Sequence, residues 1–181
     1  MTYPQLTGEY TIDDTHSRIG FVARHAMVTK VRGSFNEFEG SFTVDGDAPE
    51  KSSAQVTLQT KSIDTRNADR DGHLRTNDFL SADEHPVITF TSTAIAQNGE
   101  DGFDVTGDLT IKGITKPVTI PFEFGGAAKD PFGNDRVGFD GSTVINRSDF
   151  GVTFNAPLET GGVLVSDKIT LEFEISAIKN A

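Results

Sequence analysis

The stretch "ITLEFEISA" sets Ile169, Leu171, Phe173 and Ile175 on one side and Thr170, Glu172, Glu174 and Ser176 on the other. A period of two is the pattern of a strand with one face in an apolar core and one in water. A helix repeats its apolar stripe every three to four residues and cannot carry it. The pattern recurs along the chain. "RIGFVARHAM" aligns Ile19, Phe21, Ala23, His25 and Met27 against Arg18 and Arg24. "KPVTIPFEF" aligns Val118, Ile120, Phe122 and Phe124, and "GFDVTGDLTI" aligns Phe103, Val105, Leu109 and Ile111. "AQVTLQT", "PVITFTST" and "VGFDGSTVI" alternate more weakly.

Turn-forming clusters separate these runs: "DGDAPEKSS", "QNGEDG", "IKGITKP", "GGAAKDPFGND" and "PLETGG". The spacing predicts an antiparallel meander of about eight strands in an all-β domain spanning residues 1–181. Short helices fit only within residues 67–84 and around 147–151. With so little helix to cover it, the apolar face must fold over as a sandwich or close as a barrel. Pro121 sits inside a strand, where it removes a ladder hydrogen bond, and marks a weak seam in that barrel.

The formal net charge of −11 over 181 residues repels phosphate backbones and anionic membrane surfaces, and no basic stripe offsets it. Nucleic acid is therefore not a partner, and stable membrane insertion is not expected, since no stretch approaches the length of a span. The chain has no cysteine, which removes disulfides, thiolate metal sites and cysteine nucleophiles. "MTYPQLTGEYTIDD" has neither a basic leader nor an apolar run. The expected location is cytoplasmic, or periplasmic or secreted where a leader has been removed. Aromatic usage is lopsided, with 14 Phe, 2 Tyr and no Trp: a preference for purely apolar surface.

"NADRDGHLRTND" imitates a calcium loop, with Asn67, Asp69 and Asp71 at positions 1, 3 and 5 and Gly72 at position 6. Asp78 at position 12 is shorter than the usual glutamate, Arg75 takes a ligand position, and the lead-in "VTLQTKSID" is strand-like. The better reading is a polar connection whose Asn and Asp cap a short helix. None of the histidines at positions 16, 25, 73 and 85 has a zinc spacing, and no serine-nucleophile turn occurs. No metal, cofactor or catalytic residue is expected. His25 interrupts an apolar face, as a hydrogen-bonded core residue or as a polar anchor in a cavity.

"DDTHSRIGFVARHAMVTKVRGSFNEFEG", "RDGHLRTNDFLSADEHPVITFTS", "GDLTIKGITKPVTIPFEF" and "INRSDFG" follow one another in this chain. In this order they resemble the YceI-like family, the polyisoprenoid-binding, lipocalin-like proteins, from about Gly8 to Lys179. The resemblance implies an eight-stranded antiparallel barrel whose apolar tunnel holds a long isoprenoid or other amphiphile. Leu80 departs from the family, which often has a second Phe there. "RDGHLRTNDF" then resembles the barrel-closing connection. Arg70, Asp71, His73, Arg75 and Asp78 would form a mutually hydrogen-bonded plug, with Leu74 and Phe79 turned inward. Arg147 and Asp149 would flank Phe150 in a similar structural role.

The combined expectation is a carrier or store for an isoprenoid or fatty amphiphile, without catalysis. Its lining is Phe21, His25, Phe35, Phe42, Phe90, Leu109, Ile111, Ile120, Phe122 and Phe173. Two rivals are an enzyme acting on an isoprenoid or quinone-like substrate through His25, and a ligand-free barrel serving protein contact. A homodimer stays open.

Overall fold

The computed structural model describes residues 3–159 and 162–181. Four strands come first: β1 (Gly8–Ile12), β2 (Arg18–His25), β3 (Thr29–Phe35) and β4 (Phe38–Val44). β5 (Ser53–Gln59) and the short β6 (Ile63–Asp64) lead into α1 (Ala68–Leu74). Long hairpins follow in β7 (Val87–Gln97), β8 (Gly102–Ile111), β9 (Ile114–Lys129) and β10 (Asp135–Asn146), and β11 (Lys168–Lys179) is the last strand.

The neighbours run β1-β4-β5-β7-β8-β9-β10-β11, all antiparallel, and β11 returns to β1, so the sheet closes into a barrel of eight strands. The remaining three strands prolong three members of this ring. β2 continues β1 along the same edge of β11, where Ile12 faces Ala177 and Arg18 faces Glu174. Residues 13–17 loop out between them. In the same way β3 pairs with β2 and β6 pairs with β3, extending the positions of β4 and β5. Closure, not a second layer, is how so little helix suffices.

The turn segments are shorter than their composition suggests. In "GGAAKDPFGND", Gly125–Lys129 belong to β9, and the turn itself is held by Asp130, whose Oδ1 accepts from the amides of Phe132 at 2.9 Å and Asn134 at 3.0 Å. In "IKGITKP" the strand resumes at Ile114. In "PLETGG", Pro157 bridges to Val163, while Thr160 and Gly161 lie outside the described residues. Both anticipated helical regions exist: α1, and a 3-10 turn at Arg147–Phe150 that ends on Gly151 in the left-handed region at φ 72°. Three further 3-10 turns were not anticipated, at Pro4–Leu6, Pro49–Lys51 and Thr60–Ser62. Proline opens the first two, where a helix start has no use for its missing N–H.

Pro121 does mark a seam. β9 and β10 pair from Lys129 opposite Asp135 to Phe122 opposite Gly141, with one bulge at Gly138 and Phe139, and the ladder stops there. The Thr119 carbonyl points at β10, where it accepts from the Thr143 hydroxyl at 3.1 Å. Residues two apart point their backbone groups the same way, so the nitrogens of Pro117 and Pro121 also face β10 and have no hydrogen to give. Two absent donors on one edge account for the unpaired upper half.

Apolar side chains pack in two groups. The larger, around Ile19, Leu58, Ile88, Leu109, Ile120 and Phe150, fills the α1 side of the barrel. The smaller, Tyr3, Leu6, Tyr10, Val137 and Ala177, closes the other end. There the Tyr3 amide donates to the Gly46 carbonyl at 2.7 Å and its hydroxyl to Asp101 at 2.9 Å, strapping the 3-10 turn across the rim.

Candidate functional site

The inner face of an eight-stranded barrel either interlocks its side chains or leaves a void. Here Phe90, Leu109 and Ile120 are buried, whereas the inward-facing Phe21, Phe35, Phe42, Phe122 and Phe173 are only partly covered. Partly covered aromatics on the inside of a closed wall are the walls of a cavity. That cavity measures about 320 Å³ and extends from Tyr3, Leu6 and Gly46 at one end to Leu74, Phe79 and Phe150 at the other. Pockets that enclose one organic ligand run from roughly 300 to 1,000 Å³, so it has room for one slender molecule.

Nine of the ten residues expected on the lining lie there: Phe21, Phe35, Phe42, Phe90, Leu109, Ile111, Ile120, Phe122 and Phe173. Phe122 and Phe173 meet at 5.7 Å between ring centroids, and Phe21 and Phe35 at 5.9 Å. His25 is the exception. It is exposed, neither a core residue nor an anchor, because β2 outruns the barrel wall before reaching it and turns into β3 opposite Thr29. A backbone bridge joins it to Val165, ahead of β11. The alternation of β2 holds only as far as a wall exists to bury it.

Other lining residues follow from parity with those already found. Ile169, Leu171 and Ile175 share the face of Phe173, and Phe139 and Ile145 share a face of β10. Tyr3 and Leu6, on an irregular segment, carry no such signal. The wall is apolar where β4 and β5 meet, because Phe42, Val44, Ala54 and Val56 face inward while Thr43 and Gln55 alternate outward. At the opposite end Arg147 is the one cationic side chain on the lining among the described residues.

The plug is built differently from the expected ring of mutual charges. Asn67 caps the start of α1, its side chain accepting from the Arg70 amide at 3.0 Å. Arg70 and Asp71 do not pair; both meet Thr65. Asp71 Oδ1 accepts from the Thr65 amide at 2.8 Å and from its hydroxyl. That hydroxyl oxygen in turn accepts from Arg70 Nε at 2.8 Å. Arg75 reaches the carbonyls of Lys61 at 2.9 Å and Ile63 at 3.2 Å. His73 and Asp78 are the pair that meets directly, at 2.8 Å. Neutral backbone and one threonine therefore connect the charges, which avoids placing a buried ion pair in the plug. Leu74, Phe79 and Leu80 turn into the cavity. The would-be calcium ligands Asn67, Asp71 and Asp78 are each committed to a different protein partner.

A second charged network locks the far rim. Arg136 donates through Nη1 to Asp13 at 2.8 Å and through Nε to Asp130 at 2.7 Å. The hydroxyl of Thr15 and then Arg136 hold the Asp13 carboxyl well below the usual carboxylate range. The Asn134 amide, followed by Arg136, does the same for Asp130. Both side chains are only 12% and 11% exposed, so these contacts are well shielded. They fasten the loop of residues 13–17 to the β9–β10 hairpin.

Among the described residues no histidine lines the cavity. His16 pairs with Asp13 and His73 with Asp78, both on the outside, and no carboxylate bonds His25 among the described residues.

The YceI-like domain family matches residues 10–177. A UPF0312 protein of Azotobacter vinelandii is 42% identical over 149 residues, covering 81% of this chain and 78% of its own length. Another, from Pseudomonas putida, is 37% identical over 176 residues, covering 96% and 88%. The crystal structure of BcnA from Burkholderia cenocepacia superposes with a TM-score of 0.80 at 27% identity, over 91% of this chain and 98% of that one. A polyisoprenoid binding domain from Saccharophagus degradans, implicated in plant cell wall breakdown, superposes with a TM-score of 0.73. At 18% identity, over 94% of this chain and 98% of that one, it shares the fold alone. With alternating strands, closed ring and apolar cavity in place, the match over residues 10–177 makes the chain a member of the YceI-like family.

Proposed function

We propose that this protein binds one linear apolar chain, an isoprenoid or other amphiphilic lipid, inside the barrel and carries or stores it without chemical change. The observation that carries the reading is the cavity of about 320 Å³ walled by incompletely covered Phe side chains. Filling it with an alkyl or prenyl chain removes apolar area from water on both partners, at about 25 cal/mol per Å². The shared fold with a polyisoprenoid binding domain supports the same class of ligand. A lining that pairs no nucleophile with a base among the described residues supports binding over catalysis.

Mass spectrometry of organic extracts, followed by denaturant melts of the delipidated protein with and without the recovered lipid, tests it. A ligand bound only by the folded state adds about 2.7 kcal/mol at a hundredfold excess over Kd. Phe122→Ala should cost the delipidated protein less than about 2 kcal/mol, against about 3–5 kcal/mol for a Phe in a filled core. An empty extract, no lipid-dependent shift and a full core-sized loss together would mean a solid barrel.

A further inference from the structure

The motif "INRSDFG" places one residue that the carrier reading does not use. Arg147 is 7% exposed, at the α1 end of an otherwise apolar cavity. A buried guanidinium ordinarily has a carboxylate partner, yet among the described residues none lies within 4.0 Å of it. It is held by neutral carbonyls: Nε donates to Ser166 at 2.8 Å, Nη1 to Val152 at 2.8 Å and Nη2 to Val165 at 3.3 Å. Those three bonds fasten Val152, Val165 and Ser166 to the end of β10. They also leave the side chain short of acceptors, since a guanidinium has five N–H groups and one on each terminal nitrogen remains. The nearby Asp167 is engaged elsewhere, accepting from the Ser148 amide at 3.0 Å. Burial outweighs the pull of Asp167 and pushes the Arg147 guanidinium below its ordinary pKa, as expected for a cation lacking its anion.

Resting on the carrier reading, we infer that Arg147 is the head-group site: the ligand is a chain lipid with a carboxylate end, bound head-inward against Arg147 with its tail toward Tyr3 and Leu6. A planar guanidinium with two free N–H groups matches one carboxylate, and the low-polarity surroundings strengthen the pair. The overall charge of −11 repels anions, so a preference for an acidic lipid cannot come from the protein's general field.

The test uses palmitate and hexadecanol, two chains of equal length, with the delipidated full chain. Palmitate should bind more tightly by roughly tenfold to a hundredfold, the value of a charge-assisted hydrogen bond. Arg147→Met should erase that preference while hexadecanol binding persists. Because this variant also loses three carbonyl bonds and could fail to fold, ligand direction is read in the unaltered protein. Stearate carrying a nitroxide near its tail end should broaden the amide resonances of Leu6, Gly46 and Phe103 and spare those of Phe150 and Val152. Equal affinities for the two probes, or broadening at Phe150 and Val152, overturns the inference and leaves the carrier reading standing. Failure of both probes to bind overturns the carrier reading and this inference with it.

Discussion

β9 and β10 behave as two different structures along one hairpin. Their lower half, Phe122–Lys129 against Asp135–Gly141, is a continuous ladder with one bulge, and its inward side chains Phe124 and Phe139 pack at 5.4 Å between centroids. Their upper half, residues 114–121 against 142–146, shares no ladder and is held by the Thr143 hydroxyl on the Thr119 carbonyl. The upper half carries the clearer alternation, at Val118 and Ile120, while the lower half includes "GGAAK", so hydrophobic pattern does not explain where the ladder stops. What differs is the number of donors on the facing edge. A strand is specified twice, once by its side chains and once by its amides, and proline edits the second without touching the first. Gly141 stands at the junction, where an added Cβ would lie 2.6 Å from the Phe122 ring. That ring occupies the space which a side chain in the wall would need.

The largest effect should come from the zipped half. Phe139 packs against Phe42, Phe103 and Phe124 while bordering the cavity, so Phe139→Ala should cost more than Phe122→Ala, about 2–3 kcal/mol in urea melts. Thr143→Val in the open half should cost less than about 1 kcal/mol, the net worth of one hydrogen bond. Equal losses would abolish the distinction between the halves. A smaller effect should follow from restoring the donors. Pro117→Thr with Pro121→Thr should let the ladder run on, each bond adding about 0.5–1.5 kcal/mol. The freer unfolded chain offsets about 0.4–1 kcal/mol of this per proline removed. Hydrogen exchange is therefore the sharper measurement: the amides of Ser142 and Val144 should slow in the double variant. Unchanged exchange there would acquit the prolines.

The smallest effect concerns the clamp at the zipped end. Asp13 and Asp130 have depressed folded-state pKa values, so their contribution to stability is complete above the ordinary carboxylate value near 4 and is lost as pH falls through the folded values. Arg136→Gln should lower the melting temperature at pH 7, and the gap from the unaltered protein should narrow below about pH 4. A gap independent of pH would show that the carboxylates do not draw their stabilisation from Arg136.

These contrasts define what the sequence could disclose. Side-chain alternation reads out directly, so the apolar faces of β8, β9 and β11 were legible, and Pro121 announced the seam. Gly125–Lys129 were not, because "GGAAK" has no strand preference and is a strand only through the ladder that β10 imposes on it. His25 misled for the opposite reason: its alternation is intact, but the wall ends before it. The plug residues were legible as a group and illegible as pairs. Arg70, Asp71 and Arg75 find their partners in Thr65 and in backbone carbonyls, which every residue possesses and no pattern advertises. Arg147 was hidden in the same way, its three acceptors being main-chain oxygens of Val152, Val165 and Ser166, which lie outside the named helices and strands.

The closure of the ring has a consequence for how the chain reaches this state. β1 completes the barrel only by pairing Tyr10 with Lys179 and Ile12 with Ala177, partners separated by nearly the whole polypeptide. During synthesis, residues 8–12 can pair with β4 early but leave the ribosome long before β11 exists, so the β1–β11 seam is among the last to be locked. Folding dominated by such distant pairings is slow, on the order of milliseconds to seconds for β-rich domains, and leaves strand edges unpaired meanwhile. The apolar inner face is therefore exposed during assembly, and a lipid present at that stage meets an open sheet rather than a finished barrel.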